Sequence, residues 1–217
     1  MKYKCLILDH DDTAVKTTPE IHYPAFLEIL EKLRPGVSYS LEEFTIACFE
    51  PGFFPLCTDI LGFNDEEMDR EYKIWRKYAD NVVPEFYDGI IDLVKSFKAN
   101  CGHVCVVTHA DQADVEMHYG AHGITIDRIY GREYPEEQQK PYPFPLLDIM
   151  KHYNLEPQDL IVIDDLKLGY DMARSCNVFF AAAGWSHTFD SITDFMRKNS
   201  DAYFKTVKEF SDFVLAD

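Results

Sequence analysis

The sequence predicts an α/β protein, a three-layer Rossmann-like parallel sheet core with an inserted α-helical subdomain. Three observations carry this expectation. Short β-rich apolar runs alternate with stretches of helical periodicity along the chain. The runs are hydrophobic almost throughout instead of at every second residue, which marks strands covered on both faces by helices. One connection, residues 10–102, is far longer than the rest and reads as helical.

Taken in order, KCLILD (4–9) is the first strand. Helical patterns follow at Pro24–Leu33, Leu41–Phe49, Asp65–Ala79 and Tyr87–Asn100. A connection this long inside a compact domain is normally structured, so residues 16–85 are expected to form a helical subdomain. The core is then residues 1–15 and 86–217, with Tyr87–Asn100 as the crossover helix returning to the sheet. The later strands are HVCVVT (103–108), ITIDRIY (124–130), LIVID (160–164), VFFAAA (178–183) and DAYF (201–204).

A chain of 217 residues that is 47% hydrophobic suits one domain with a sizeable insertion and a real core. No run approaches a membrane span, and MKYKCLILD enters a strand without signal-peptide character, so a cytoplasmic protein with no membrane partner is expected. The 21 basic and 38 acidic side chains give a net charge of −17, which argues against nucleic acid. An anionic substrate is disfavoured too unless a cation intervenes. The cysteines (Cys5, Cys48, Cys57, Cys101, Cys105, Cys176) form no CxxC pair, and Cys101 and Cys105 read as packing residues. Oligomeric state is not legible.

Four polar positions stand where strands end or loops begin. DHDDT follows the first strand, Thr108 ends HVCVVT, Lys140 sits in EEQQKPYPFP, and Asp164 and Asp165 close LIVIDD. In an open parallel sheet the ligand crevice lies beyond the carboxyl ends of the strands, which brings the strand-end residues to one edge. Asp9, Asp11 and Asp12 crowd three carboxylates into four positions. Like charges so close repel and raise one another's pKa, and a divalent cation would offset them while attracting a phosphate.

With these motifs in this order, and a long helical insertion after the first, the sequence resembles the haloacid dehalogenase superfamily, specifically its phosphatase-like members with a helical cap. The resemblance covers nearly the whole chain: DxDxT at Asp9 to Thr13, the strand-terminal Thr108, Lys140 in KPxP, and DD before LKLGYDMA. It departs at Asp12, where the family commonly has Gly, so the loop geometry there is expected to demand a positive φ that Asp tolerates less readily.

The resemblance implies a Mg2+-dependent phosphatase acting on a small phosphorylated metabolite through an aspartyl-phosphate. Asp9 is then the nucleophile and Asp11 the general acid and base. Mg2+ is held by the Asp9 carboxylate, the Asp11 carbonyl and the Asp165 carboxylate, with Asp164 direct or through water. Thr108 and the His109 amide grip the phosphoryl oxygens, and Lys140 pairs with phosphate and Asp9. A sugar-phosphate mutase on the same core stays open. So does a non-catalytic phosphate-binding protein, although none of the chemical groups is lost. A dehalogenase would not need Asp11 or the acidic pair, and a receiver domain would place its acidic pair first and its lysine last.

Other readings are plainer. Asp12 reads as a turn residue, and Asp164 and Asp165 could cap the next helix. The His109 ring either touches substrate or lines its loop. His118 and His122, spaced i, i+4, read as a solvated helix face instead of a metal pair. Arg76 and Lys77 are the cap cations expected to meet the leaving group.

Overall fold

In the computed structural model, which describes residues 1–216, six parallel strands form one sheet in the order β3-β2-β1-β4-β5-β6. They are β1 (Cys5–Leu8), β2 (His103–Val107), β3 (Arg128–Tyr130), β4 (Leu160–Asp164), β5 (Phe179–Ala183) and β6 (Ala202–Phe204). The sheet grows outward from β1 through β2 to β3, then returns to place β4 on the other flank of β1. The direction of connection therefore reverses between β1 and β4, the point where such sheets open a crevice at the strands' carboxyl ends. β1 and β4 are buried along their whole length, as the continuous apolar runs predict.

The chain divides into two compact units, one of Met1–Val15 with the chain from Glu85, the other Lys16–Pro84. The second is helical: a π-helical turn at Thr18–His22 leads into α1 (Tyr23–Leu33), then α2 (Leu41–Phe49), the single turn α3 (Phe53–Pro55), a second wide turn at Leu56–Ile60, and α4 (Asp65–Ala79). Ser40 and Asn64 cap α2 and α4 through reciprocal bonds with Glu43 and Glu67, satisfying backbone donors that a helix start leaves open. Phe26, Ile29, Leu30, Phe44, Leu56 and Ile74 pack its interior.

The first unit holds the sheet and α5 (Ile90–Ala99), α6 (Gln112–Gly120), α7 (Phe144–Tyr153), α8 (Lys167–Ser175), α9 (Asp190–Asn199) and α10 (Val207–Leu215). Two expected elements start well inside their patterns. The crossover helix starts at Ile90, not Tyr87, because its N-cap Gly89 takes φ +93. The strand expected over 124–130 is regular only from Arg128. Asp127 pairs out of pattern there: its Oδ2 accepts the Val104 amide at 2.7 Å while its own amide donates to the Val104 carbonyl at 2.9 Å. Cys101 and Cys105 do not share a site: Cys101 is exposed, whereas Cys105 is buried with its Sγ 3.9 Å from Cys5 Sγ.

β1 is flanked on both sides and Ile7 has no solvent exposure, so Ile7→Ala removes methylenes that nothing can replace. The expected cost is about 2–5 kcal/mol in urea unfolding. Phe213→Ala, at a side chain of 37% exposure, should cost clearly less in the same measurement.

Candidate active site

Asp9 directly follows β1, and its amide continues the ladder to the Ile163 carbonyl at 3.0 Å. Since Leu8 pairs with Ile163, Asp9 and Asp164 are neighbours across the two central strands. Lys140, only 6% exposed, reaches in from the loop before α7 and donates to Asp9 Oδ1 at 2.6 Å and to Asp164 Oδ2 at 2.8 Å. The other Asp164 oxygen accepts the Leu166 amide at 2.8 Å. Asp165 is held from two sides, by Thr13 Oγ1 at 2.7 Å and by His187 Nε2 at 2.7 Å.

One oxygen from each of Asp9, Asp164 and Asp165 lies within 4.8 Å of the others, and all three residues are buried. Asp12, Asp165 and His187 converge equally closely. Among the first three, partners set the charge. Burial and the Asp164 carboxylate push Asp9 well above the usual carboxylate range despite Lys140. Burial raises Asp164 to about 6. Asp165 is held below its ordinary value, because the bonds from His187 and Thr13 and the charge of His187 outweigh its burial. Lys140 is raised by Asp164 and Asp9, again against its burial.

This donor set fits a divalent cation. Three buried carboxylates face one ammonium, and the hard oxygens offered are the ligands such an ion prefers. Burial and the neighbouring Asp164 carboxylate, which raise Asp9, are both penalties that a bound cation would offset.

Local backbone makes the cluster possible. Asp12 stands at φ +56, the left-handed conformation that the glycine-like position leads one to expect, and Asp is among the L-residues that tolerate it. The amides of Ala14 and Val15 both donate to the His10 carbonyl, curling the loop back. Gly169 on α8 is needed for contact: a Cβ there would lie 2.2 Å from Asp164 Oδ2.

Asp11 is partly buried and its charge is felt by the His109 ring. Thr108 is buried, with Oγ1 accepting the Ala110 amide at 3.1 Å. The His109 ring pairs with the Lys140 carbonyl at 3.0 Å. Burial and the Lys140 charge lower His109 to about 4, so the ring is neutral and donates through Nε2. It thus lines the loop and holds the backbone of Lys140. Asp164 and Asp165 do more than precede α8: Asp164 caps the Leu166 amide with one oxygen and binds Lys140 with the other. Arg76 and Lys77 lie on α4 in the other unit, where Arg76 pairs with Asp80 and sits over the Trp75 ring, and Lys77 Nζ is 3.6 Å from Glu28.

One expectation is corrected. His118 is buried, not on a solvated face, and its Nδ1 lies 2.9 Å from His10 Nε2, whereas His122 is exposed. Helical spacing places two side chains on one face but does not say what packs against each. The residues that sequence reasoning missed are His187 and His10. His187 follows the carboxyl end of β5, a position the sheet geometry marks as facing the crevice. His10 carries no spacing signal at all.

Residues 6–183 match the model of a family described as haloacid dehalogenase-like hydrolase. The chain belongs to this family. A protein of Bacteroides fragilis described as a haloacid dehalogenase-like hydrolase shares its fold, with a TM-score of 0.79 at 16% identity over 96% of this chain and 100% of that one. The Pseudomonas aeruginosa protein named phosphoglycolate phosphatase 1 is 30% identical over 58% of this chain, which spans about half of it, 48%. A Thiobacillus denitrificans protein named phosphoglycolate phosphatase is 26% identical over 84% of this chain and 85% of its own length. Among the described residues no helix is long and apolar enough to cross a membrane.

The close approach of Gly169 to Asp164 predicts that Gly169→Ala displaces a carboxylate pinned by two bonds, at a cost of about 1–3 kcal/mol in thermal unfolding. Gly120→Ala, with nothing within 4 Å of the added methyl, should be neutral or slightly stabilising.

Proposed function

We propose that this hydrolase is a Mg2+-dependent phosphatase that cleaves a small phosphomonoester through an aspartyl-phosphate on Asp9. The observation that carries the reading is the buried bridge of Lys140 between Asp9 and Asp164, inside a set of three converging carboxylates. Such a set binds a cation, and a cation with an adjacent ammonium forms a receptor for a phosphoryl group.

Asp9 is the nucleophile. Lys140 engages its Oδ1, which leaves Oδ2 to attack phosphorus while the P–O bond to the leaving alcohol breaks. Asp11, two residues on along an extended chain, gives its proton to the departing oxygen. It then takes a proton from the water that attacks the phosphoaspartate, so that the second P–O bond breaks and inorganic phosphate leaves. Thr108 Oγ1 accepts the Ala110 amide and retains its own hydrogen, which with the His109 backbone amide donates to the phosphoryl oxygens. Lys140 neutralises charge on the phosphoryl group and on Asp9, and is itself held in place by the His109 ring. Mg2+ would be held by Asp9, Asp165 and the Asp11 carbonyl, with Asp164 direct or through water, and would supply charge neutralisation at the phosphoryl oxygens.

The names carried by the Pseudomonas and Thiobacillus relatives favour a short phosphorylated carboxylate, and 2-phosphoglycolate is the first compound to try. Arg76 and Lys77, the cations expected from sequence to meet the leaving group, are the first positions to substitute when testing recognition of its carboxylate.

Purified protein with Mg2+ should release inorganic phosphate from p-nitrophenyl phosphate, and from phosphoglycolate with higher kcat/KM. EDTA should abolish turnover and added Mg2+ restore it. Asp9→Asn should be inactive, and Asp11→Asn should lose about 10²–10⁴-fold in kcat. Activity that survives EDTA or Asp9→Asn would overturn the mechanism. Interconversion of sugar phosphates without phosphate release would identify a mutase instead.

A further inference from the structure

The residue between the proposed nucleophile and the proposed acid is a histidine with no solvent exposure, and the mechanism above gives it no task. Side chains alternate along an extended chain, so His10 projects to the opposite side from Asp9 and Asp11. There it meets apolar core. Phe86 stands edge-on at 6.4 Å, Tyr119 lies at 5.7 Å, and Ala14, Val15 and Val115 belong to the same cluster. Into this surrounding α6 sends His118, whose Nδ1 is 2.9 Å from His10 Nε2 with the rings stacked at 5.2 Å.

A hydrogen bond between two imidazole nitrogens needs one N–H and one lone pair, so the pair selects complementary tautomers and fixes both rings. In apolar surroundings such a bond is directional and costly to break, because a buried group left unpaired keeps its full desolvation penalty. The backbone of His10 is fixed as well, since its carbonyl takes the amides of both Ala14 and Val15. His10 is thus held at side chain and main chain, between the two peptide units that carry Asp9 and Asp11. α6 itself follows Thr108 and His109 by a short turn. One bond therefore ties the segment bearing both carboxylates to the segment proposed to grip the phosphoryl oxygens.

We propose that His118 is a positioning residue, acting through His10 to set the orientation of Asp9 and Asp11 relative to Thr108. The proposal rests on the phosphatase reading for its kinetic consequence, but the geometry it asserts can be read without turnover. Displacements of about 1 Å at a reacting group cost on the order of 100-fold in rate, so His118→Leu and His10→Leu should each lower kcat about 10–100-fold with little change in KM. Asn places a polar atom where His Nδ1 stands, and Gln where Nε2 stands. His118→Asn and His10→Gln should therefore recover most of kcat.

The double variant His10→Leu/His118→Leu separates positioning from packing. It removes both partners of the bond together, so its Tm should return toward wild type while kcat stays low. Recovery of kcat together with Tm would overturn the proposal, as would an Asn variant no better than Leu. The second readout is NMR of the protein without substrate. The imidazole nitrogens of His10 and His118 should show coupling across the N–H···N bond, and the Asp9 and Asp11 amides should shift in His118→Leu and return in His118→Asn. Unmoved amides would refute the positioning role even if wild-type protein hydrolysed no phosphomonoester. Absent turnover with shifted amides would refute only the phosphatase reading.

Discussion

Three carboxylates buried at the ends of two adjacent strands, against a single buried ammonium, are the constraint on which the rest of this molecule depends. Removing ions from water costs several kcal/mol each even after relaxation, and the cost is recovered only where each lone pair meets a donor. The chain meets this condition for Asp164 and Asp165 and in part for Asp9. Lys140 spans Asp9 and Asp164, Leu166 closes the second oxygen of Asp164, and Thr13 and His187 close both oxygens of Asp165. The donors come from the loop after β1, the loop before α7 and the loop after β5, so the cluster pins connections that are distant in sequence. The proton affinities that result are spread: Asp9 is raised, Asp164 sits at about 6 and Asp165 is lowered. Identical side chains a few ångströms apart acquire different proton affinities from their burial and their partners.

The backbone bears part of the cost. Holding an L-residue in the left-handed region costs roughly 1–2 kcal/mol, yet Asp12 stands there where glycine would be easy. Two bonds from one loop secure it: Ser186 Oγ donates to the Asp12 carbonyl at 2.5 Å and Trp185 Nε1 to the Thr13 carbonyl at 3.1 Å. The same loop carries His187, which binds Asp165. A short stretch after β5 therefore both stabilises the strained turn and supplies the imidazole that keeps Asp165 ionised. Asp12 also places its own carboxylate beside Asp165 and His187, as a glycine could not.

Much of this was legible from sequence because it rests on patterns of short period. Continuous apolar runs identified the strands, and the strand ends identified Asp9, Thr108, Asp164 and Asp165 before any contact was known. Lys140 needed the family resemblance, since nothing in a proline-rich loop says which strand ends its lysine will reach. Features set by single side chains at long range were not legible. Asp127 shortens β3 by bonding to Val104, Gly89 delays the start of α5, and His118 is drawn into the core by His10, 108 residues earlier. Periodicity reports which face of an element a residue occupies, whereas polar pairing across the fold depends on which two faces meet.

The net charge of −17 opposes the anionic substrate proposed above only over short distances. At physiological ionic strength the Debye length is about 8 Å, so charges spread over the surface are largely screened from an approaching phosphate. They slow its arrival more than they weaken its binding. Inside the site screening fails, because Lys140 is 6% exposed and Asp9, Asp164 and Asp165 are more deeply or equally buried. There the local balance of Asp9, Asp164 and Asp165 against Lys140 and His187 decides affinity. On the phosphatase reading proposed above, the carboxylates that repel a lone phosphate are the same groups that a divalent cation would offset.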